Sequence, residues 1–241
     1  MPGLYRDEGV VLKTIKLGES DRIVTIFTRG GGKVRAVAKG VRKTKSRFGA
    51  RLEPFSRVDL MVHRGKGALD TITQAHLLSS FEEIRSDYDR LTAGAAVAEL
   101  VEKVTEERER SFSTYSLLLA ALEALAAGRV ENVVPAFVVK LLSISGYHPQ
   151  LRACVSCGRT DALAGFSPAS GGVVCEGCGP HDPGARRLPP DRITLMGELL
   201  DADFGHPGDP GAAAEVTIAF KAYAEYHLER PLKSLRFVVP A

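Results

Sequence analysis

The sequence predicts an α+β multidomain chain: a small closed β-barrel at the N-terminus, an all-helical domain after it, and a four-cysteine lobe inserted into the helical part. Three observations lead there. Apolar residues recur with period two through the first 80 residues, they recur at three- and four-residue spacing beyond Ser80, and all four cysteines fall within residues 154–178. The expected units are 1–80 for the barrel, 81–150 and 191–241 for the two parts of the helical domain, and 151–190 for the insertion.

The barrel rests on five short strands. Residues 22–29 are β-rich on both faces, Gly30, Gly31 and Gly32 make a turn, and residues 33–39 alternate, with Val34, Ala36 and Ala38 on one face and Lys33, Arg35, Val37 and Lys39 on the other. Further strands are expected at 9–15, 56–64 and 69–77. A five-stranded sheet this small exposes less edge when it closes on itself.

The helices follow from the change of period. Ser86 and Asp87 can cap a helix whose stripe is Tyr88, Leu91, Ala95, Ala98, Val101 and Val104. A second helix is expected at 113–127, stopping at Gly128. A third follows Asn132, carries Pro135 in its first turn and stops near Gly146. Residues 179–190 are rich in Pro and Gly, and two last helices are expected at 194–202 and 212–228, on either side of a flexible loop at 205–211.

The net charge of +3 conceals a sorting by region. Residues 1–80 hold 16 Lys and Arg against 7 Asp and Glu, a balance of +9, which leaves 16 against 22, a balance of −6, for the rest. A basic module joined to an acidic body points to a polyanionic partner for the first part alone. Eight cations concentrate the effect: Lys33, Arg35, Lys39, Arg42, Lys43, Lys45, Arg47 and Arg51, with no acidic residue among positions 33–51. Residues 40–50 read as an exposed loop able to adapt to a phosphate backbone, and about six such contacts would cost roughly three decades of affinity between 50 and 200 mM salt. Phe48 is the one aromatic residue there, so backbone contact, without base reading, is the expected mode. The competing reading is an ordinary solvated face.

The cysteines lie as Cys154-x2-Cys157 and Cys175-x2-Cys178, the spacing of a two-knuckle zinc site, with Gly171 and Gly172 placed to turn the chain back between the pairs. Four thiolates complete a tetrahedral ion, so the expected role is one structural Zn2+ per chain, and Leu163, Phe166, Val173 and Val174 supply the lobe's own small core. Redox dithiols or unligated thiols are the other readings. His181 reads as a surface residue, not a fifth donor. No catalytic constellation emerges: there is no phosphate-binding Gly-Lys loop, no nucleophile elbow, and Asp201 and Asp203 at i, i+2 face apart. No stretch has the roughly 18 apolar residues of a membrane span, and Arg6, Asp7 and Glu8 occupy the place of a signal peptide's apolar core, so a cytoplasmic, non-enzymatic protein with no membrane partner is expected.

Several stretches carry a specific resemblance: residues 18–28 (Gly-Glu-Ser-Asp-Arg-Ile-Val-Thr-Ile-Phe-Thr), 35–42 (Arg-Ala-Val-Ala-Lys-Gly-Val-Arg), 48–55 (Phe-Gly-Ala-Arg-Leu-Glu-Pro-Phe), the cysteine quartet, and 230–234 (Arg-Pro-Leu-Lys-Ser). Together they resemble the RecO family of bacterial DNA repair proteins in its zinc-containing, actinobacterial-like form. Leu235 departs from the pattern, since many relatives carry Arg there. The resemblance implies an OB-fold barrel, then a helical domain holding the zinc knuckles. It further implies a recombination mediator that binds single- and double-stranded DNA, anneals complementary strands, and acts with RecR to help RecA replace single-stranded-DNA-binding protein, hence a nucleoid-associated location. Two alternatives share the residues: an RNA-binding barrel-and-knuckle module of the translation apparatus, and a metal-dependent nucleic-acid enzyme, which the closed cysteine set disfavours.

Overall fold

A computed structural model describes residues 3–46, 48–65, 67–205 and 208–238. The first five strands are β1 (Leu4–Leu17), β2 (Asp21–Thr28), β3 (Gly32–Ala38), β4 (Arg57–His63) and β5 (Asp70–Ser79), closed in the order β1-β2-β3-β5-β4. Strand β1 is long because it serves two partners. Its first half pairs with β4 (Leu4 to Val10) and its second with β2 (Gly9 to Leu17), with a bulge between Val11 and Lys13. A short parallel contact, Ala36 with Asp70 and Val37 with Thr71, shuts the barrel. Inside it lie Val11, Val24, Ile26, Leu60 and Ile72, and a 3-10 turn at Gly49–Leu52 plugs one end with Leu52.

The double-sided β character of β2 has a structural cause. Val24 and Ile26 point into the barrel, while Phe27, with Val10, Leu12 and Phe55, belongs to the core of the helical body. The sheet here is covered on both sides. Burial of Phe27 alone contributes about 2 kcal/mol to that union.

The helical body comprises α1 (Glu82–Arg85), α2 (Tyr88–Val104), α3 (Phe112–Ala126), α4 (Val133–Ile144), α5 (Pro190–Asp201) and α6 (Pro210–Leu228). Asp87 caps α2 as expected, accepting from the Arg90 amide at 2.9 Å, and Ser111 caps α3 from Thr114. The buried face of α2 differs from the predicted stripe. Ala98 and Val101 are buried as expected, but Tyr88 and Leu91 are exposed, and the helix also buries Ala93, Val97 and Leu100. Packing on two sides explains the shift: α3 and α4 take one flank, β1 and α1 the other, and the row Leu91, Ala95, Ala98 is left lining a groove of about 400 Å³ against Leu12 and Phe55. At Gly94 a β-carbon would stand 2.9 Å from Ile84 Cγ2 and 3.2 Å from the Phe55 ring, so glycine lets α2 approach the barrel. Helix α4 is central, with Val134, Phe137, Val138, Leu141 and Leu142 fully buried.

Three shorter strands, β6 (Leu163–Ser167), β7 (Gly172–Cys175) and β8 (Arg186–Arg187), form a sheet in the order β7-β6-β8. The lobe has no separate core of the predicted composition. Phe166 and Val173 enter the core of the helical body, the Phe166 ring meeting Phe220 edge-on at 6.1 Å, while Val174 stays with the cysteines and half-buried Leu163 packs against both. Helix α5 begins at Pro190, four residues before the expected start, because proline suits a first helical turn. Of the predicted loop at 205–211, His206 and Pro207 lie outside the described residues. Among the described residues no helix is long and apolar enough to cross a membrane.

Candidate nucleic-acid interface and metal centre

Strand β3 alternates as its sequence dictates, with Val34, Ala36 and Ala38 inside and Lys33, Arg35 and Val37 outside. Its outer face, however, meets the helical body. Lys33 Nζ donates to the carbonyls of Glu102, at 2.6 Å, and Thr105, at the C-terminal end of α2 where carbonyls lack helical partners. Burial pulls the Lys33 pKa down, against the pull of Glu106, Glu102 and Glu107. The segment after α2 then runs beside β3: the Arg108 amide donates to the Lys33 carbonyl at 2.9 Å, and Arg35 lies 3.7 Å from Glu107. At Gly32 a β-carbon would stand 1.9 Å from the Glu109 carbonyl oxygen, which only glycine permits. Arg108 fastens the segment to the barrel through Asp70, a fully buried carboxylate that also accepts from Tyr5 (2.9 Å) and the Gly65 amide (3.0 Å).

The loop after β3 is not loose. Gly40, in the left-handed region at φ 67°, donates its amide to Asp21 at 2.8 Å, and Ser20 Oγ donates to the same carboxylate oxygen. These bonds, the Gly40 amide foremost, hold the Asp21 carboxyl below the usual aspartate range. The Arg42 amide donates to the Ser20 carbonyl at 3.0 Å, while its guanidinium donates to the carbonyls of Gly18 (3.2 Å) and Glu19 (2.9 Å). Lys39, Arg42, Lys43, Lys45 and Arg51 are exposed. Lys39, Lys43 and Lys45 form no ion pair among the described residues. Arg47 lies outside the described residues. Phe48 is buried in the barrel at 1% exposure and presents no ring for base stacking. Sequence reasoning missed Asp21, Glu107 and Arg108, which face this basic segment from other elements; Ser20 and Asp21 did stand in a stretch that carried the resemblance.

In the lobe, the sulfurs of Cys154, Cys157, Cys175 and Cys178 all lie within 4.8 Å of one another. Cys157 Sγ and Cys175 Sγ are 3.7 Å apart, close to the roughly 3.8 Å edge of a tetrahedron with metal–sulfur bonds of about 2.3 Å. The knuckle turns are set by backbone bonds, Gly158 N to the Cys154 carbonyl (2.8 Å) and Cys178 N to the Cys175 carbonyl (3.1 Å). Burial raises the Cys154 pKa, but amides of Cys175, Cys157 and Ser156 outweigh it and bring the thiol down to about 6. Cys178 is pushed up to about 12 by hydrogen bonding with the Cys157 and Cys175 sulfurs. Four sulfurs this close resist joint ionisation, and a bound cation removes that resistance. The four sulfurs are close enough to hold one metal ion. Among the described residues no histidine or carboxylate joins them: His181 is exposed, Asp201 pairs with Arg152 at 2.6 Å, and Asp203 accepts from the Gly205 amide.

Two family models match nearly the whole chain: Recombination protein O N terminal over residues 1–81 and Recombination protein O C terminal over residues 85–236. The chain belongs to the RecO family. A curated relative named DNA repair protein RecO, from a Nocardioides species, is 45% identical over 98% of this chain and 99% of its own length. Relatives of the same name from Frankia casuarinae and Streptomyces coelicolor are 44% and 43% identical, each over 98% of both chains. Membership places the chain among DNA repair and recombination proteins, and its five-stranded barrel is the OB-fold of the RecO N-terminal domain. Leu235, at the departure from the family pattern, is fully buried in the helical core. The amides of Lys233 and Ser234 beside it donate to Glu99 at 3.1 and 2.6 Å.

Proposed function

We propose that this chain is a recombination mediator that binds single- and double-stranded DNA along the rim of its barrel and anneals complementary strands without ATP. The observation that carries this reading is the group Lys39, Lys43 and Lys45, exposed and without ion pairs among the described residues, on a loop fixed to the barrel. Complementary strands repel through their phosphates. A rigid cationic rim lowers that repulsion by displacing counterions, and base pairing then supplies the free energy, so no fuel and no catalytic group is required. The contacts are to backbone and indifferent to sequence. Lys33 and Arg35, held by the helical body, flank this track, and Arg51 continues it.

The metal is Zn2+, one per chain, with a structural role: four thiolates fill a tetrahedral ion and leave no position for water. When bound, it supplies cohesion to the hairpin and knuckles. RecR, RecA and single-stranded-DNA-binding protein are the partners that kinship to the family supports, with a location at the nucleoid in the cytoplasm.

Stopped-flow annealing of complementary oligonucleotides tests the reading, using the protein and a Lys39→Glu, Lys43→Glu, Lys45→Glu variant. The protein should accelerate annealing with no ATP present, and added ATP should not change the rate. The variant should lose DNA binding and annealing together while keeping its metal. Normal annealing by a variant that no longer binds DNA sinks the mechanism.

A further inference from the structure

Arg42 stands in the middle of the cationic loop, yet its guanidinium turns back onto the protein. One nitrogen, Nη1, donates to both Gly18 O (3.2 Å) and Glu19 O (2.9 Å), and the Arg42 amide donates to Ser20 O (3.0 Å). A single residue thus engages three consecutive carbonyls of the turn between β1 and β2. From the other side of the seam, Asp21 accepts the Gly40 amide at 2.8 Å. Four hydrogen bonds therefore lace the β1–β2 turn to the loop after β3. The lysines attach to this seam: Lys39 precedes Gly40, and the Lys43 stem lies across it, its Cδ 3.7 Å from where a Gly40 β-carbon would be.

Both contacts run through one guanidinium nitrogen, which stands one bond farther from the main chain than a lysine ammonium and whose two N–H groups are fixed in the guanidinium plane, so lysine does not meet the two carbonyls in the same geometry. We infer that Arg42 and Asp21 are positioning residues: they hold the two rim loops as one body and leave the phosphate contacts to Lys39, Lys43 and Lys45. This rests on the DNA-binding reading above. It separates charge that meets phosphate from charge that holds the loop, which a count of basic residues cannot do.

Salt dependence tells the two roles apart, because each cation that meets a phosphate of single-stranded DNA adds about 0.7 to the slope of log K against log salt. Fluorescence anisotropy with labelled oligo-dT over a salt series, on full-length Arg42→Gln, Arg42→Lys and Lys43→Gln, reads affinity and slope. Amide hydrogen exchange without DNA reads the loop. Arg42→Gln and Arg42→Lys should both weaken binding about five-fold, keep the parent slope, and speed exchange at Gly40. The factor corresponds to one ordinary hydrogen bond's net worth. Lys43→Gln should lower the slope by about 0.7 and leave exchange at Gly40 unchanged. If Arg42→Lys restores full affinity while Arg42→Gln loses slope as Lys43→Gln does, Arg42 is a phosphate ligand and the inference is overturned. Should the parent protein show no salt-dependent DNA binding, the functional reading fails by itself. The exchange arm then decides the lacing, which unchanged exchange in Arg42→Gln overturns.

Discussion

The ammonium of Lys33 lies 2.6 Å from the carbonyl oxygen of Glu102, so a side chain on the barrel closes the end of a helix in the neighbouring body. Replacing it with methionine keeps the stem and removes the donor. Lys33→Met should cost about 1–2 kcal/mol of stability, from the uncapped carbonyls of Glu102 and Thr105, and leave the salt slope of DNA binding unaltered. Urea denaturation and salt titration check both parts. A slope reduced as by a loop lysine would return Lys33 to the DNA track.

Asp70 sets a pH dependence. Burial raises its pKa, but the Gly65 amide, Tyr5 and Arg108 more than compensate, and the carboxyl stays below its ordinary 3.8. A depressed aspartate stabilises the folded state fully above its unfolded pKa, and the contribution disappears as pH falls through the folded value. Asp70→Asn should therefore lower stability by about 2–3 kcal/mol at pH 7 and by progressively less below pH 4. Thermal melts from pH 7 to pH 3 give the test; a deficit independent of pH would show that charge on Asp70 contributes nothing.

Phe166 reports on how the cysteine lobe is attached. Its ring packs edge-on against Tyr223 at 5.5 Å as well as against Phe220, so Phe166→Ala should destabilise the helical body by about 3–5 kcal/mol. The loss should be visible at α6 residues in hydrogen exchange. Loosening confined to residues 151–188 would mean that the hairpin hangs on the metal alone.

Metal content is the fourth expectation. Elemental analysis should find one zinc per chain, and Cys175→Ser should lower metal content and folding yield together. Protein free of zinc after gentle purification, or a variant with unchanged melting temperature, contradicts the structural role.

The parts legible in the sequence are those whose signal is local. The cysteine quartet follows from spacing within 25 positions, and the barrel strands from alternation. Strand β1 starts at Leu4, five residues before the expected start at residue 9, and Arg6, Asp7 and Glu8 in the added stretch carry no apolar alternation to mark it. In the fold each of the three has a partner: Arg6 donates to Asp59 at 2.9 Å across the strands, Asp7 accepts from the Gly30 amide, and Glu8 accepts from Arg57 at 2.6 Å and from Tyr115 of the helical body. What the sequence could not reveal is which cations are already engaged. Lys33 and Arg42 answer to backbone carbonyls, which every residue possesses and no composition marks. Phe48 reads as a loop aromatic until the barrel closes over it.

The shared burial of β2 has a bearing on how this protein can be dissected. Cut free at Ser80, the barrel would present Val10, Leu12, Phe27 and Phe55 to water as one contiguous greasy surface, and Lys33 would gain a freedom it lacks in the intact chain. Such a fragment is set to self-associate and to bind polyanions through a cation the full-length molecule withholds. Its affinity for DNA would then overstate that of the whole protein.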